Sequence, residues 1–219
     1  MWLVSPFARP PLLESLDKAV WYSRLVRWRK LHPCPVSPSR QAVYEDVARM
    51  EQLDAPITYL EFGTFKGASM TWWLSTNTHP ESRFVGFDSF EGLPEPWRGY
   101  EAGHFATEPP ELADPRCRLV HGMFQRTLPD FLTTHRSSRR QVIFMDADLF
   151  SSTGFVLQHL GPHLRNGDLL LFDEFQAWMD EFRSFSGLLA SFPLEYQVLR
   201  RSADWSQVAV KILSNRYGC

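Results

Sequence analysis

The hydrophobic positions of this chain fall into short, nearly unbroken runs separated by stretches with helical spacing. "ITYLEF" (57–62), "RFVGFD" (83–88), "CRLVHG" (117–122), "QVIFMD" (141–146) and "DLLLFDE" (168–174) read as strands. Continuous rather than alternating apolar runs predict strands covered on both faces by helices. Helical stretches follow four of them, at "ASMTWWLS", "QRTLPDFLTTH", "STGFVLQHLGPHL" and "EFRSFSGLLASF". Repeated strand–helix units predict an α/β fold with a parallel, doubly wound sheet. The last two strands, "EYQVLR" and "QVAVKIL", are joined only by "RSADWS", a connection short enough for an antiparallel hairpin at one edge.

The first part of the chain has a different texture. In "LLESLDKAVWYSRLVRWRKLHP" the apolar residues Leu16, Val20, Trp21, Leu25 and Trp28 recur near helical spacing, with Lys18, Arg24, Arg27, Arg29 and Lys30 between them. Such a helix either packs its Trp/Leu side onto the body of the protein or lies on a membrane surface or partner. "HPCPVSPSR" reads as a linker. The chain therefore divides into an N-terminal helical extension or lid (1–50) and a main domain (51–219).

Composition narrows the function classes. A formal net charge of -2 gives no electrostatic footprint for nucleic acid. Cys34, Cys117 and Cys219 are scattered and odd in number, which predicts neither a zinc site nor a disulfide framework and fits a reduced cytoplasmic compartment. "MWLVSPFARPPLLESL" lacks the basic start and long apolar core of a signal peptide, and no stretch reaches the length of a membrane span.

Candidate chemistry lies where the strands end, because open α/β sheets bind ligands beyond their carboxyl edges. Acids stand at four of the five ends: Glu61 in "LEFGTFKG", Asp88 in "FDSFEGLP", Asp146 in "MDADLFSST", and Asp173 with Glu174 in "FDEF". Gly63 permits a sharp turn and Gly67 a tight helix start, but the spacing is not the dinucleotide fingerprint and implies no pyrophosphate cradle. Glu61 suits a cationic ligand group, or the segment is simply a tight turn. Asp88 lies at the offset where an acid accepts a ribose hydroxyl pair, and it could equally cap its own turn. Together these two acids describe a ligand with nucleoside and amino-acid parts, for which S-adenosylmethionine is the obvious candidate. Asp146, Asp173 and Glu174, with Asp148 nearby, present hard oxygen ligands suited to Mg²⁺, or a carboxylate general base without metal.

These stretches, "LEFGTFKGAS", "FVGFDSFEGLPE", "GMFQRTLP", "MDADLFSST" and "LLLFDEF", resemble the macrocin and mycinamicin O-methyltransferase family of class I S-adenosylmethionine-dependent methyltransferases, over roughly residues 57 to 213. The resemblance implies a Rossmann-like, seven-stranded sheet whose last strand is antiparallel. It implies that Glu61, Gly63, Thr64 and Gly67 lie along the methionine part of the cofactor, with Asp146 also beside it. Asp88 and Ser89 would take the ribose, and Met123 and Phe124 would border the adenine. Asp146, Asp173 and Glu174 would hold Mg²⁺. Family members methylate hydroxyls, often on sugars of natural products, and some are homo-oligomers. The family often has two aspartates where this chain has Asp173-Glu174, a methylene longer at the second position.

The expected reaction is an in-line displacement at the sulfonium methyl, in which the enzyme aligns an acceptor hydroxyl and takes its proton. Asp146 is the first candidate base, and His104, in the long loop after the second strand, is the second. Phe90, Trp97 and Tyr100 of that loop either stack on a sugar or aromatic acceptor or pack the loop down. The competing readings are a catechol-type or other small-molecule O-methyltransferase, and a non-catalytic partner that keeps the fold within a biosynthetic complex.

Overall fold

Strand β2 (Ile57–Phe62) is buried along its whole length, and its side chains alternate between two apolar layers. Ile57 and Tyr59 join one cluster while Leu60 and Phe62 join the other. A computed structural model describes residues 11–135 and 138–216. The first ten residues, residues 217–219 with Cys219 among them, and Arg136 and Ser137 within "HRSSRR" lie outside the described residues.

The described elements run α1 (Pro11–Leu31), β1 (Val36–Ser37), α2 (Arg40–Met50), β2, α3 (Ala68–Thr76), β3 (Arg83–Asp88), β4 (Cys117–His121), α4 (Phe124–Thr134), β5 (Arg140–Met145), α5 (Phe150–Leu160), β6 (Leu169–Phe172), α6 (Glu181–Ser191), β7 (Leu194–Ser202) and β8 (Val208–Asn215). They form one eight-stranded sheet of order β1-β7-β8-β6-β5-β2-β3-β4. β8 runs antiparallel to both β6 and β7, and every other pairing is parallel. The expected seven strands are all present with the antiparallel hairpin at the end. The eighth is the two-residue β1, which adds to β7 from within the proline-rich segment read as a linker.

One layer packs Phe62, Phe87, Ile143, Met145, Leu170 and Phe172 against apolar residues of α4, α5, α6 and α1. The other packs Tyr59, Phe84, Val142, Phe144, Leu169 and Leu171 against α2 and α3. The prediction of strands covered on both faces holds for β2, β3, β5 and β6 but not for β4, which is partly exposed throughout as the terminal strand of the sheet.

Helix α1 docks by its aromatic face. Trp28 packs its ring against Phe175, Phe182, Phe185 and Trp205, and its indole N–H donates to the Tyr196 hydroxyl at 2.8 Å. No helix among the described residues is long and apolar enough to cross a membrane.

Helix α2 was not foreseen. Ser39 caps it, its hydroxyl accepting from the Ala42 N–H at 3.1 Å, and Val43, Tyr44 and Val47 are its buried side. It packs on β7 and places its first residue, Arg40, over the carboxyl edge of the sheet.

Candidate active site

The winding of the sheet reverses between β2 and β5, whose carboxyl ends are the expected ligand position in a doubly wound fold. There the Asp146 N–H donates to the Phe62 carbonyl at 2.9 Å, so the turn after β5 lies directly against the turn after β2. Gly63 makes this approach possible. Its φ is +93°, and a Cβ built on it would stand 1.8 Å from the Asp146 carbonyl oxygen.

Two clefts open on either side of this contact. One, of about 230 Å³, is lined among others by Asp88, Ser89, Met123, Phe124, Asp146 and Asp148. The other, of about 280 Å³, is lined by Arg40, Tyr44, Thr64, Lys66, Ser69 and Trp72 among others. Gly63, Phe65 and Asp146 border both. Side by side they offer the few hundred cubic ångströms that a small-molecule site uses.

Most residues expected to touch a cofactor are brought together here. Both Asp88 oxygens accept backbone N–H groups, from Phe65 at 2.7 Å and Phe90 at 2.8 Å. This is the turn-capping role, yet each oxygen retains a further lone pair toward the cleft. Ser89, Met123 and Phe124 line the same cleft. Thr64 is buried with an unpartnered hydroxyl, and Gly67, at φ +75°, starts α3.

Glu61 is fully buried beneath α3. One of its oxygens accepts the Ser69 hydroxyl while Oε2 has no hydrogen-bond partner. Burial pushes this carboxyl up to about 8, opposed by Ser69 and by the neighbouring Tyr59 hydroxyl, which does not reach hydrogen-bond geometry. An orphaned carboxyl oxygen of this kind fits a cationic ligand group.

At the ends of β5 and β6 the acids crowd. Asp146 Oδ2 takes Arg40 Nη2 at 3.0 Å, and Asp173 Oδ1 takes Arg40 Nε at 2.9 Å. The same Asp173 oxygen accepts the Tyr44 hydroxyl at 2.8 Å and Gln207 Nε2 at 3.2 Å. Burial and the adjacent Asp173 push Asp146 above the usual carboxylate range, with Arg40 opposing. Asp148, at φ +56°, is raised to about 7 by burial, then by Glu174 and Asp173. Glu181, at the start of α6, is fully buried below them; one oxygen accepts the Glu174 N–H at 3.0 Å and the other is unpartnered. Burial and then Asp173 hold it well above its ordinary range.

Asp146 and Asp173 thus meet on one guanidinium, whereas Glu174 turns to Arg98 at 3.7 Å. Among the described residues no three His, Cys, Asp or Glu side chains are grouped as a metal cage. The Arg40 guanidinium nevertheless occupies the position of a cation between two hard oxygen ligands, so the Asp146/Asp173 pair is chemically suited to hold positive charge.

The loop between β3 and β4 covers the site from above. Gly92, Leu93, Pro94 and Phe105 line the first cleft, and Trp97 donates its indole N–H to Asp180 at 3.2 Å. Phe90 is buried with its ring edge-on to His121, so it packs the loop down. His104 is exposed, its ring stacked on Tyr100 at 4.3 Å, and it does not line either cleft.

Sequence reasoning missed Arg40, Tyr44, Lys66 and Gln207. The signal for the first two was present: a Ser39 cap followed by Val43, Tyr44 and Val47 on one helical face. Nothing in the sequence marks Gln207 as a partner of Asp173.

Known proteins bear on this geometry. No curated protein sequence matches the chain. Among solved structures, the calicheamicin methyltransferase CalS11 superposes with a TM-score of 0.61 at 20% identity, covering 93% of this chain and 94% of that one. The O-methyltransferase NovP gives 0.59 at 19% identity over 91% and 99%. The structure of cmcI-D160 with Mg-SAM gives 0.51 at 17% identity over 80% and 71%. At such identities these matches establish the shared fold. A family model described as a methyltransferase domain matches residues 60–175, more than half of the chain, from β2 to just beyond β6. The chain belongs to this methyltransferase-domain family.

Proposed function

We propose that the protein transfers a methyl group from S-adenosylmethionine to a hydroxyl of a small acceptor, a sugar or glycoside, in the manner of the macrocin and mycinamicin O-methyltransferases. The observation that carries this reading is Asp88 lining the first cleft at the end of β3, with the buried Glu61 carboxyl and its unpartnered oxygen near the end of the neighbouring strand β2. Asp88 would accept the ribose hydroxyls, with Ser89 beside it. Glu61 would face the methionine ammonium above Gly63, Thr64 and Gly67, while Met123 and Phe124 would flank the adenine.

A sugar acceptor is supported by the neighbour CalS11, described as a TDP-rhamnose 3'-O-methyltransferase. The N-terminal segment, through α2 and Arg40, reaches the same rim and would help cover the acceptor. Asp146 in its ionised form would take the hydroxyl proton, since it borders both clefts and burial raises its basicity. Asp146 and Asp173 would hold Mg²⁺, a group present with the cofactor in the cmcI-D160 structure, and Glu174 would join them only by leaving Arg98. Bound there, the ion would lower the pKa of the acceptor hydroxyl and fix its direction.

The test is calorimetric binding of S-adenosylhomocysteine to the wild type and to Asp88→Ala, with folding of each checked by circular dichroism. Binding that weakens about 10- to 100-fold in the variant supports the reading, the loss expected for removing hydrogen bonds to a charged acceptor. No binding to the folded wild type overturns it and favours a non-catalytic role. Turnover with nucleotide sugars, set against catechols and with Mg²⁺ present or chelated, then separates the acceptor classes.

A further inference from the structure

Arg40 comes from outside the matched methyltransferase segment, yet it forms ion pairs with both acids at the centre of the site. Its Nη2 reaches Asp146 and its Nε reaches Asp173, at 3.0 and 2.9 Å. Tyr44, one helical turn further along α2, holds the assembly in register. Its hydroxyl accepts from Arg40 Nε at 3.0 Å and donates to Asp173 at 2.8 Å. Asp173 is nearly buried, so without a positive partner its charge would stand unscreened against Asp146.

The same guanidinium is open to solvent on one side. Its side chain is 48% exposed and it borders the second cleft beside Lys66. Withdrawal therefore needs side-chain rotation toward solvent rather than movement of α2. Asp146 and Asp173 would hold a divalent ion through carboxylate oxygens that the guanidinium now pairs with. Ion and guanidinium therefore compete for the same oxygens, and two cations cannot share the pair without strong repulsion.

We propose that Arg40 is an internal cation latch on the Asp146/Asp173 pair, which offsets part of the pair's charge when no metal is bound and must swing out before a divalent ion can enter. This rests on the assignment of Mg²⁺ to these carboxylates made above. The latch makes metal loading competitive with an intramolecular ion pair. Apparent metal affinity is then reduced by the fraction of molecules in which the latch is open. It also lowers the repulsion between the two acids in the metal-free site, so the sheet edge keeps them together without the ion.

The test is a titration of the full chain with Mn²⁺, read by the paramagnetic resonance of the free ion, at saturating S-adenosylhomocysteine. Wild type, Arg40→Ala and Arg40→Lys are compared, with Asp173→Asn as the control for the site. A latch closed about nine-tenths of the time predicts about tenfold tighter Mn²⁺ binding by Arg40→Ala. Arg40→Lys keeps the charge but loses the planar two-pronged fork, so it falls between the two. Metal-free Arg40→Ala should melt below the wild type and recover more on adding Mn²⁺. Where Arg40→Ala does not fold, Arg40→Gln, which retains hydrogen-bond donors without the charge, carries the same comparison. Equal Mn²⁺ affinity in wild type and variants, lost in Asp173→Asn, would overturn the latch and leave the metal assignment standing. No Mn²⁺ binding by any of the folded proteins would overturn the metal assignment, and the latch with it.

Discussion

Cofactor binding should release a proton from Glu61, and the size of that release follows from its burial. The carboxyl has no exposed surface, one oxygen lacks any partner, and its pKa is raised from 4.5 to about 8. At pH 7 a group titrating near 8 is about nine-tenths protonated. A methionine ammonium placed against the free oxygen favours the ionised form, so binding at pH 7 expels about 0.9 proton per cofactor. Affinity for S-adenosylhomocysteine should rise about tenfold per pH unit from pH 6 toward 8 and then level off. The sign for stability is opposite. Because the folded pKa is raised, Glu61 contributes its stability fully below about pH 4.5, and the ligand-free protein loses it as pH rises through about 8, at about 1.4 kcal/mol per unit. Glu61→Gln removes the titration while keeping the shape. It should flatten the pH dependence of both quantities relative to wild type and bind the cofactor more weakly at pH 8. Calorimetry in buffers of different ionisation enthalpy measures the proton count, and thermal melts from pH 5 to 9 measure the stability slope. A proton release near zero at pH 7, with wild type and Glu61→Gln melting in parallel across the range, would refute the reasoning.

Further outcomes follow from packing. Gly63→Ala should cost several kcal/mol, because its Cβ would overlap the Asp146 carbonyl at 1.8 Å in a left-handed backbone, whereas Gly67→Ala, whose nearest contact is the flexible Pro110 ring at 3.1 Å, should cost about 1 kcal/mol. Urea unfolding of the two variants checks the contrast, and equal costs would argue against the close approach of the two turns. Trp28→Ala removes five ring contacts and the bond to Tyr196, and should destabilise by about 3–5 kcal/mol in the same assay. A loss below about 1 kcal/mol would mean that α1 is not firmly docked.

What could be read from the sequence and what could not divide along a physical line. Strands β2, β3, β5 and β6 were legible because burial on both faces leaves unbroken apolar runs, and the carboxyl-edge acids were legible because each follows such a run. The antiparallel hairpin of β7 and β8 was legible from the length of its connection. β4 was found as a strand but misjudged in burial, since five residues with a partly apolar pattern do not reveal that no strand lies beyond. The centre of the site was harder, because its chemistry is set by long-range contacts. Asp146 and Asp173 were both singled out, yet what they bind in this structure is Arg40, more than a hundred residues away in sequence. A guanidinium on a helix start reads locally as a solvated surface charge, and only the packing of α2 on β7 turns it inward. The cap and the Val43/Val47 spacing identify the helix but not the direction in which its first residue points. The acids alone suggest a cation; the acids with Arg40 make a site that already holds one, and any metal proposed there would have to displace the guanidinium.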